Sequence, residues 1–380
     1  MPKKVRLAWA GCGPRGKAVA ALFQHHPQCE IVALSDHYRH IAEAAQRELH
    51  LPDAVIHDTP DDMLRQAPAD ALFFSGNPFE QIDLACRAME NGWHVCTEVP
   101  AAFTLAECER LVETVERTGR KYQLMEQARY WGFVEEYARM NRAGELGHVC
   151  LAQGEYVHYE PVWDNWLDLD TGETIRRNAR PPGRRVAPSW RSRLWPDAIL
   201  YLPHTLSPLL KILDDRVVSV SCMGTRPQSY AGELASRDIE YALMHTAKDT
   251  VLLVGAGFSL PSPSRGACFA HWYELRGSKR SVTTPRHTGD SFRQWDPGQS
   301  DYRPVELSTT PLGATPEEMA TGHGGADFKP VDTFLRAIVE NRPLPMDVYD
   351  AVETAAPAIL AAESANCGGK LLAVPNFRPR

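Results

Sequence analysis

A chain of 380 residues with 43% hydrophobic and 23% charged side chains is long enough for two domains and can bury a sizeable core. A formal net charge of -7 argues against nucleic acid or an anionic membrane as the main partner. The nine cysteines are odd in number and never fall in a C-x-x-C pair, so no disulfide framework or zinc knuckle is written here.

The short apolar run after Met1-Pro2-Lys3-Lys4 flows into glycines rather than into a cleavage site, and reads as a first strand. No stretch approaches the ~20 apolar residues of a membrane span. The expectation is a cytoplasmic protein with reduced thiols. The first 122 residues alternate strand-like and helix-like runs. Strands read at Val5–Ala10, Glu30–Leu34, Asp53–Ile56, Ala71–Phe74, Trp93–Thr97 and Tyr122–Met125. Between them lie helical patterns from Lys17, Ile41, Pro60, about Leu84 and Leu105. That alternation predicts a parallel sheet covered on both faces.

The periodicity changes after Tyr130. A helix over about Val134–Arg142 ends at Gly144, and strand-like stretches follow at Val149–Val157, Val217–Met223, Ile239–His245, Thr250–Phe258 and Trp272–Arg276. They predict one open, mostly antiparallel sheet. A Pro/Arg/Trp-rich segment, Asp164–Pro196, interrupts them and reads as a long binding loop or lid. Helical patterns return at Pro330–Glu340 and Val348–Ala365. The fold class is therefore α/β, with a nucleotide-binding domain over residues 1–125. A substrate-binding α+β domain covers residues 126–380, its C-terminal helix packing back toward the first domain.

Gly11-Cys12-Gly13-Pro14-Arg15-Gly16 matches G-x-G-x-x-G directly after a strand and at the opening of a helix. In that context glycines let the backbone turn tightly and approach a pyrophosphate whose charge sits on the helix N-terminus. Asp36 ends the second strand, 20 residues past Gly16, where a carboxylate meets ribose hydroxyls and repels a 2′-phosphate. The reading is a Rossmann domain for NAD, with NADP less favoured; Arg39 nearby is the residue that would blunt the preference.

These pieces, with ENGWHVCTEVPAAFTLAEC, the Gly144-Glu145-Leu146-Gly147 turn and the C-terminal ETAAPAILAAESANCGGK, resemble the glucose–fructose oxidoreductase / inositol dehydrogenase / MocA (Gfo/Idh/MocA) family over nearly the whole chain. The resemblance implies a cofactor contact from Asn77 and Gln81 after the fourth strand, and a nicotinamide pocket shaped by Glu98 and Pro100. It also implies a homo-oligomer, dimer or tetramer, built on the open sheet. Dehydrogenases of the family carry Glu-Lys-Pro after the fifth strand. Here the triplet is Glu98-Val99-Pro100, and valine can neither give nor take a proton. Four further segments are similar to the NAD-dependent glycosidases of glycoside hydrolase family 109. They are Tyr156-Val157-His158, Trp190-Arg191, Tyr201-Leu202-Pro203-His204 and His323-Gly324-Gly325.

That similarity implies a carbohydrate substrate and a transient oxidation at C3. The ketone acidifies the C2 hydrogen, the C1 substituent is eliminated, water adds, and the hydride returns. Tyr201 and His204 share one face if the segment turns helically after Pro203, and an imidazole of pKa about 6.5 transfers protons both ways at neutral pH. Tyr156 is the third acid/base candidate; Trp190, Arg191, His158 and His323 are the candidate substrate contacts. Each has a plainer reading beside it: Tyr201 and His204 as packed residues at a helix start, Tyr156 as a cross-strand packing residue, His158 as a surface residue, His323 as part of a glycine turn. No close histidine spacing supports a metal. Two other functions stand beside the glycosidase: a conventional sugar dehydrogenase lacking the usual lysine, and a non-catalytic NAD-dependent sensor.

Overall fold

The computed structural model describes residues 4–157, 165–176, 182–188, 197–226, 237–260 and 271–379. The N-terminal part runs β1 (Val5–Ala10), α1 (Pro14–His25), β2 (Cys29–Ser35), α2 (Arg39–Glu48), β3 (Val55–His57), α3 (Pro60–Gln66), β4 (Ala71–Phe74) and α4 (Gln81–Glu90). It closes with β5 (His94–Thr97), α5 (Leu105–Thr118) and β6 (Tyr122–Leu124). The strands pair in the order β3-β2-β1-β4-β5-β6, all parallel. β4 is buried at every position, as a strand covered on both faces must be. Sheet growth reverses between β1 and β4, and ligands of such sheets sit at the carboxyl ends of the strands at that point. The helices start and stop where side-chain chemistry directs. Thr104 and Glu107 form a reciprocal capping box at the start of α5, and Gly119 ends it at φ 64.

The chain then continues through a 3-10 turn (Gln127–Tyr130), α6 (Gly132–Arg142), β7 (Val149–Val157), β8 (Asn165–Asp168), β9 (Thr174–Arg176) and β10 (Val186–Pro188). A second 3-10 turn (Ala198–Tyr201) leads into α7 (Pro203–Leu213). Next come β11 (Val217–Gly224), β12 (Glu240–Thr246), β13 (Val251–Gly257), β14 (His271–Gly277), β15 (Ser281–Thr283), β16 (Arg293–Trp295) and β17 (Arg303–Pro304). The last elements are α8 (Pro316–Met319), α9 (Phe328–Val339), α10 (Val348–Asn366) and β18 (Leu372–Ala373).

Nine of these strands form one sheet in the order β17-β16-β15-β14-β7-β13-β12-β11-β18. β7 and β13 are parallel and their neighbours antiparallel, so the sheet is mixed but mostly antiparallel. Register sorts its two faces. Cys222, Ala242, Val254, Gly154 and Tyr273 form a buried row toward the helices, and the next row over, Ser221, Leu243, Leu253, Gln153 and Glu274, points the other way.

Two helices tie the domains together. α10 packs on β11 and α7 but also on α5 and β6. α9 contributes Val331, Phe334 and Leu335 to a core shared with Val5, Leu7 and Phe23 of the first domain. Among the described residues, no helix is long and apolar enough to cross a membrane.

Three features depart from the sequence reading. The segment expected as a loop over Asp164–Pro196 contains the small sheet β10-β8-β9. The short edge strands β15 to β18 carry too few residues for a periodicity to register. Helix α7 runs through Pro208, which lacks the N–H that would bond the carbonyl of His204. The hydroxyl of Tyr273 donates to that carbonyl instead, at 3.0 Å.

Candidate active site

The glycine loop lies at the carboxyl edge of β1. Gly11 adopts φ +88, and a Cβ on it would lie 2.4 Å from the backbone nitrogen of Gly76, so only glycine lets the β1 and β4 loops meet. A Cβ on Gly13, by contrast, would meet nothing within 4 Å. That open space lies over the first turn of α1, which has no side-chain cap and begins with Pro14, a residue without an N–H to satisfy. An uncapped helix start facing open space suits the pyrophosphate of a dinucleotide. At the end of β2, Asp36 is held in place by the amides of Cys12 and Tyr38, at 2.7 and 2.9 Å. Arg39 is engaged with Glu43 and Asp58 on the surface of α2, so its guanidinium is not offered to a 2′-phosphate beside Asp36.

The resemblance assigned Asn77 and Gln81 to the cofactor, and the structure gives them other work as well. Asn77 Nδ2 donates to Glu80, and its carbonyl oxygen accepts from the amide of Phe79. Gln81 is buried and donates to the carbonyl of Pro100 at 2.8 Å, so it supports the Glu98–Pro100 loop. Val99, where the family's lysine stands, is buried at 7% exposure. Glu98 accepts from Arg15 Nε at 3.0 Å; burial pushes its carboxyl up, while Arg15 and His204 pull it back.

Opposite this loop, the second domain brings together five aromatic rings. The Tyr156 ring stacks on His271 with centroids 4.0 Å apart, and lies 5.9 Å from Tyr201 and 5.7 Å from His204. Tyr201 and His204 meet edge to face at 4.7 Å, and Phe258 closes the cluster against Tyr156 and Tyr201. The helical turn after Pro203 is therefore real, and it puts Tyr201 and His204 together. Tyr156 is packed against its neighbours and is part of the cluster. Gly154 makes the approach possible: a Cβ there would lie 2.4 Å from Thr205, so α7 can rest directly on β7.

Two groups in this site were not picked out from the sequence. Glu126, the second residue past β6, is fully buried, and its Oε2 lies 2.8 Å from His204 Nδ1, close but poorly aligned for a hydrogen bond. Such bonds in catalytic sites often tighten only with substrate present. A carboxylate at the carboxyl end of a parallel strand was the signal that could have found it. His271 carried no local signal, since only the sheet register sets it beside Tyr156.

His323 lies apart, half-exposed, with Nδ1 2.9 Å from Asp327. Burial pushes the Asp327 carboxyl up, but His323 and Arg15 outweigh it and hold the group at about 2. His158, Trp190 and Arg191 lie outside the described residues.

A glycine cradle at the edge of a parallel sheet, facing a tyrosine–histidine cluster with a buried carboxylate, is the layout of an NAD-binding enzyme. Residues 5–126 match the Gfo/Idh/MocA oxidoreductase family, NAD-binding Rossmann fold. Residues 302–379 match the C-terminal domain of glycosyl hydrolase family 109. The chain thus joins a Gfo/Idh/MocA NAD-binding domain to a glycosyl hydrolase family 109 C-terminal domain, the make-up of an NAD-dependent enzyme.

It is 27% identical to glycosyl hydrolase family 109 protein 5 of Phocaeicola vulgatus, over 98% of this chain and 77% of that one. It is 28% identical to a glycosyl hydrolase family 109 protein of Streptomyces filamentosus, with the same coverage of 98% and 77%. In fold it is similar to myo-inositol dehydrogenase from Lactobacillus casei, solved with NAD(H) and myo-inositol. The TM-score is 0.71 at 18% identity, covering 98% of this chain and 99% of that one.

Proposed function

We propose that the protein cleaves a glycoside by a redox-neutral route through a transient 3-keto sugar. The observation that carries this reading is the Glu126-backed His204 set among Tyr201 and Tyr156, with buried Val99 where a dehydrogenase keeps its lysine. The glycosyl hydrolase family 109 relatives support the carbohydrate class.

The nucleotide would be held by the Gly11–Gly16 loop and Asp36, and when bound it supplies reversible hydride transfer at one sugar carbon. The chain's own residues supply the proton chemistry. Glu126 beside Nδ1 keeps the Nδ1–H tautomer of His204 and leaves Nε2 as the base. Tyr201, edge-on to that ring, takes the hydroxyl proton during oxidation and holds it until the hydride returns, so that Nε2 of His204 stays free. With the carbonyl formed at C3, Nε2 removes the C2 proton. The C1–C2 double bond forms as the C1 substituent leaves, and Tyr156 protonates the departing oxygen. Water then adds to C1 and gives a proton back to Tyr156, Nε2 returns the C2 proton, and Tyr201 reprotonates the C3 oxygen as the hydride returns, which restores every group to its starting state.

A homo-oligomer assembled through the outer face of the nine-stranded sheet fits the exposed Met223 and Leu243 on that face. The free thiols of the described cysteines fit a reducing, cytoplasmic setting.

The test is to incubate the protein with nitrophenyl glycosides in deuterated water. Phenol release with deuterium at sugar C2 and no net NADH is the expected result, lost in His204→Ala and Tyr201→Phe. Reduction of added NAD by free sugars with no phenol would replace this reading with a lysine-independent dehydrogenase. NAD binding with no reaction on either substrate would point to a sensor.

A further inference from the structure

Arg15, the second residue of α1, reaches a segment 312 positions further along the chain. Its Nε donates to Glu98 at 3.0 Å, and its Nη1 donates to Asp327 Oδ2 at 3.1 Å. One guanidinium thus joins the nucleotide loop to the end of β5 and to the segment just before α9. The carboxylate it meets is itself built in, only 8% exposed. His323 Nδ1 sits 2.9 Å from Asp327 Oδ1, and a Cβ on Gly322 would lie 2.2 Å from Oδ2, so any side chain there would displace the carboxylate.

The segment holding Asp327 is also unusual in its backbone. His323, Gly324 and Gly325 are consecutive left-handed residues, at φ 53, 71 and 94. A residue with a side chain adopts that conformation at a cost, and such positions persist where surrounding contacts over-determine them, often at ligand clamps. The contacts are present: Trp131 Nε1 donates to the carbonyl of His323 at 3.1 Å at one end, and Arg15 holds Asp327 at the other.

We propose that residues 321–327 form a clasp over the bound nucleotide, with Arg15 as its keeper, and that this bridge sets how long NAD stays. The proposal rests on NAD binding by the Gly11–Gly16 loop and not on the glycosidase chemistry. Two carboxylates from opposite sides converge on the residue that opens the phosphate-binding helix, and the guanidinium neutralises both. Lifting the segment off the nucleotide loop separates Arg15 from Asp327 and leaves a buried carboxylate without its cation. That penalty falls on release of the nucleotide, because the segment must lift from Arg15 before the nucleotide leaves.

The experiment loads the full-length protein with labelled NAD, removes the excess, and follows loss of label during a chase with unlabelled NAD. Asp327→Asn is expected to release NAD faster by on the order of tenfold to a hundredfold, with the melting temperature of NAD-free protein unchanged. Gly322→Ala keeps every charge but displaces the carboxylate, and it is expected to do the same should the first variant fail to fold. Arg15→Lys, retaining one of the two pairs, is expected to give an intermediate rate.

Release at the wild-type rate from both Asp327→Asn and Gly322→Ala overturns the clasp. So does a drop in the stability of NAD-free protein that accounts for the lost affinity, since domain glue alone would give that. Wild-type protein that takes up no NAD at all overturns the nucleotide reading, and the clasp with it, and is told apart by the first titration.

Discussion

His204 Nδ1 lies 2.8 Å from Glu126 Oε2, and the two side chains are 8% and 0% exposed. Glu126 follows β6, whereas His204 lies in the first turn of α7, so the pair exists only when those two distant segments pack together. The same carboxylate is anchored by its other oxygen, which accepts from the amide of Ala128 at 3.0 Å.

Replacing Glu126 by Gln keeps that anchor and the volume but removes the charge that orients the imidazole. Turnover should fall by about a hundredfold, in the range for loss of a general acid–base partner, with NAD content unchanged. Initial rates on a glycoside, together with the bound-nucleotide ratio, check this. Full activity in Glu126→Gln would remove the pair from the mechanism.

Two glycines of the nucleotide loop should separate folding from binding. Gly13 is at φ -64 with open space around its Cβ position, so Gly13→Ala should leave the NAD-free melting temperature unchanged. Its methyl would occupy the cradle, and NAD affinity should drop by about tenfold or more. Gly11→Ala meets both a left-handed backbone and Gly76, and should destabilise the protein even without NAD. Thermal melts and NAD titrations of the two variants decide it.

Glu240 sits fully buried under the turn that carries Tyr201, with Oε2 accepting from the amide of Ile199 at 2.9 Å and Oε1 from Arg237 at 3.0 Å. Burial pushes its carboxyl up to about 7, against an ordinary value of 4.5. The folded protein keeps this proton up to about 7, while the unfolded chain loses it near 4.5. Between those values stability therefore falls as pH rises, by up to about 3 kcal/mol, and the loss is complete above the upper value. In Glu240→Gln, which still accepts from Ile199, this slope should vanish. Urea unfolding from pH 5 to 8 measures it, and parallel slopes in both proteins would discard the assignment.

Leu243 is 54% exposed and Met223 68% exposed on the outer face of the nine-stranded sheet. If a second copy covers that face, Leu243→Lys should convert the assembly to monomer by light scattering while the monomer's far-ultraviolet spectrum is retained. An unchanged molar mass would move the interface elsewhere.

Most of the first domain was legible because its signals are local. The run Val5–Ala10, the glycines after it and Asp36 at the next strand end report a parallel strand, a phosphate turn and a ribose carboxylate without outside help. The pairing of Tyr201 with His204 was legible for the same reason, since a helical turn brings positions three apart onto one face. The helix that follows them was hidden by Pro208, whose lost bond is repaired by Tyr273, 65 residues further along the chain.

What the sequence determined by itself, then, is the sheet, the nucleotide loop and the local tyrosine–histidine pair. The tertiary structure alone decided that Glu126 backs His204, that His271 stacks on Tyr156, and that Arg15 grips Asp327 across 312 positions of chain. Those contacts join residues far apart in sequence through sheet register and helix packing, and neither leaves a periodicity in the residues that take part.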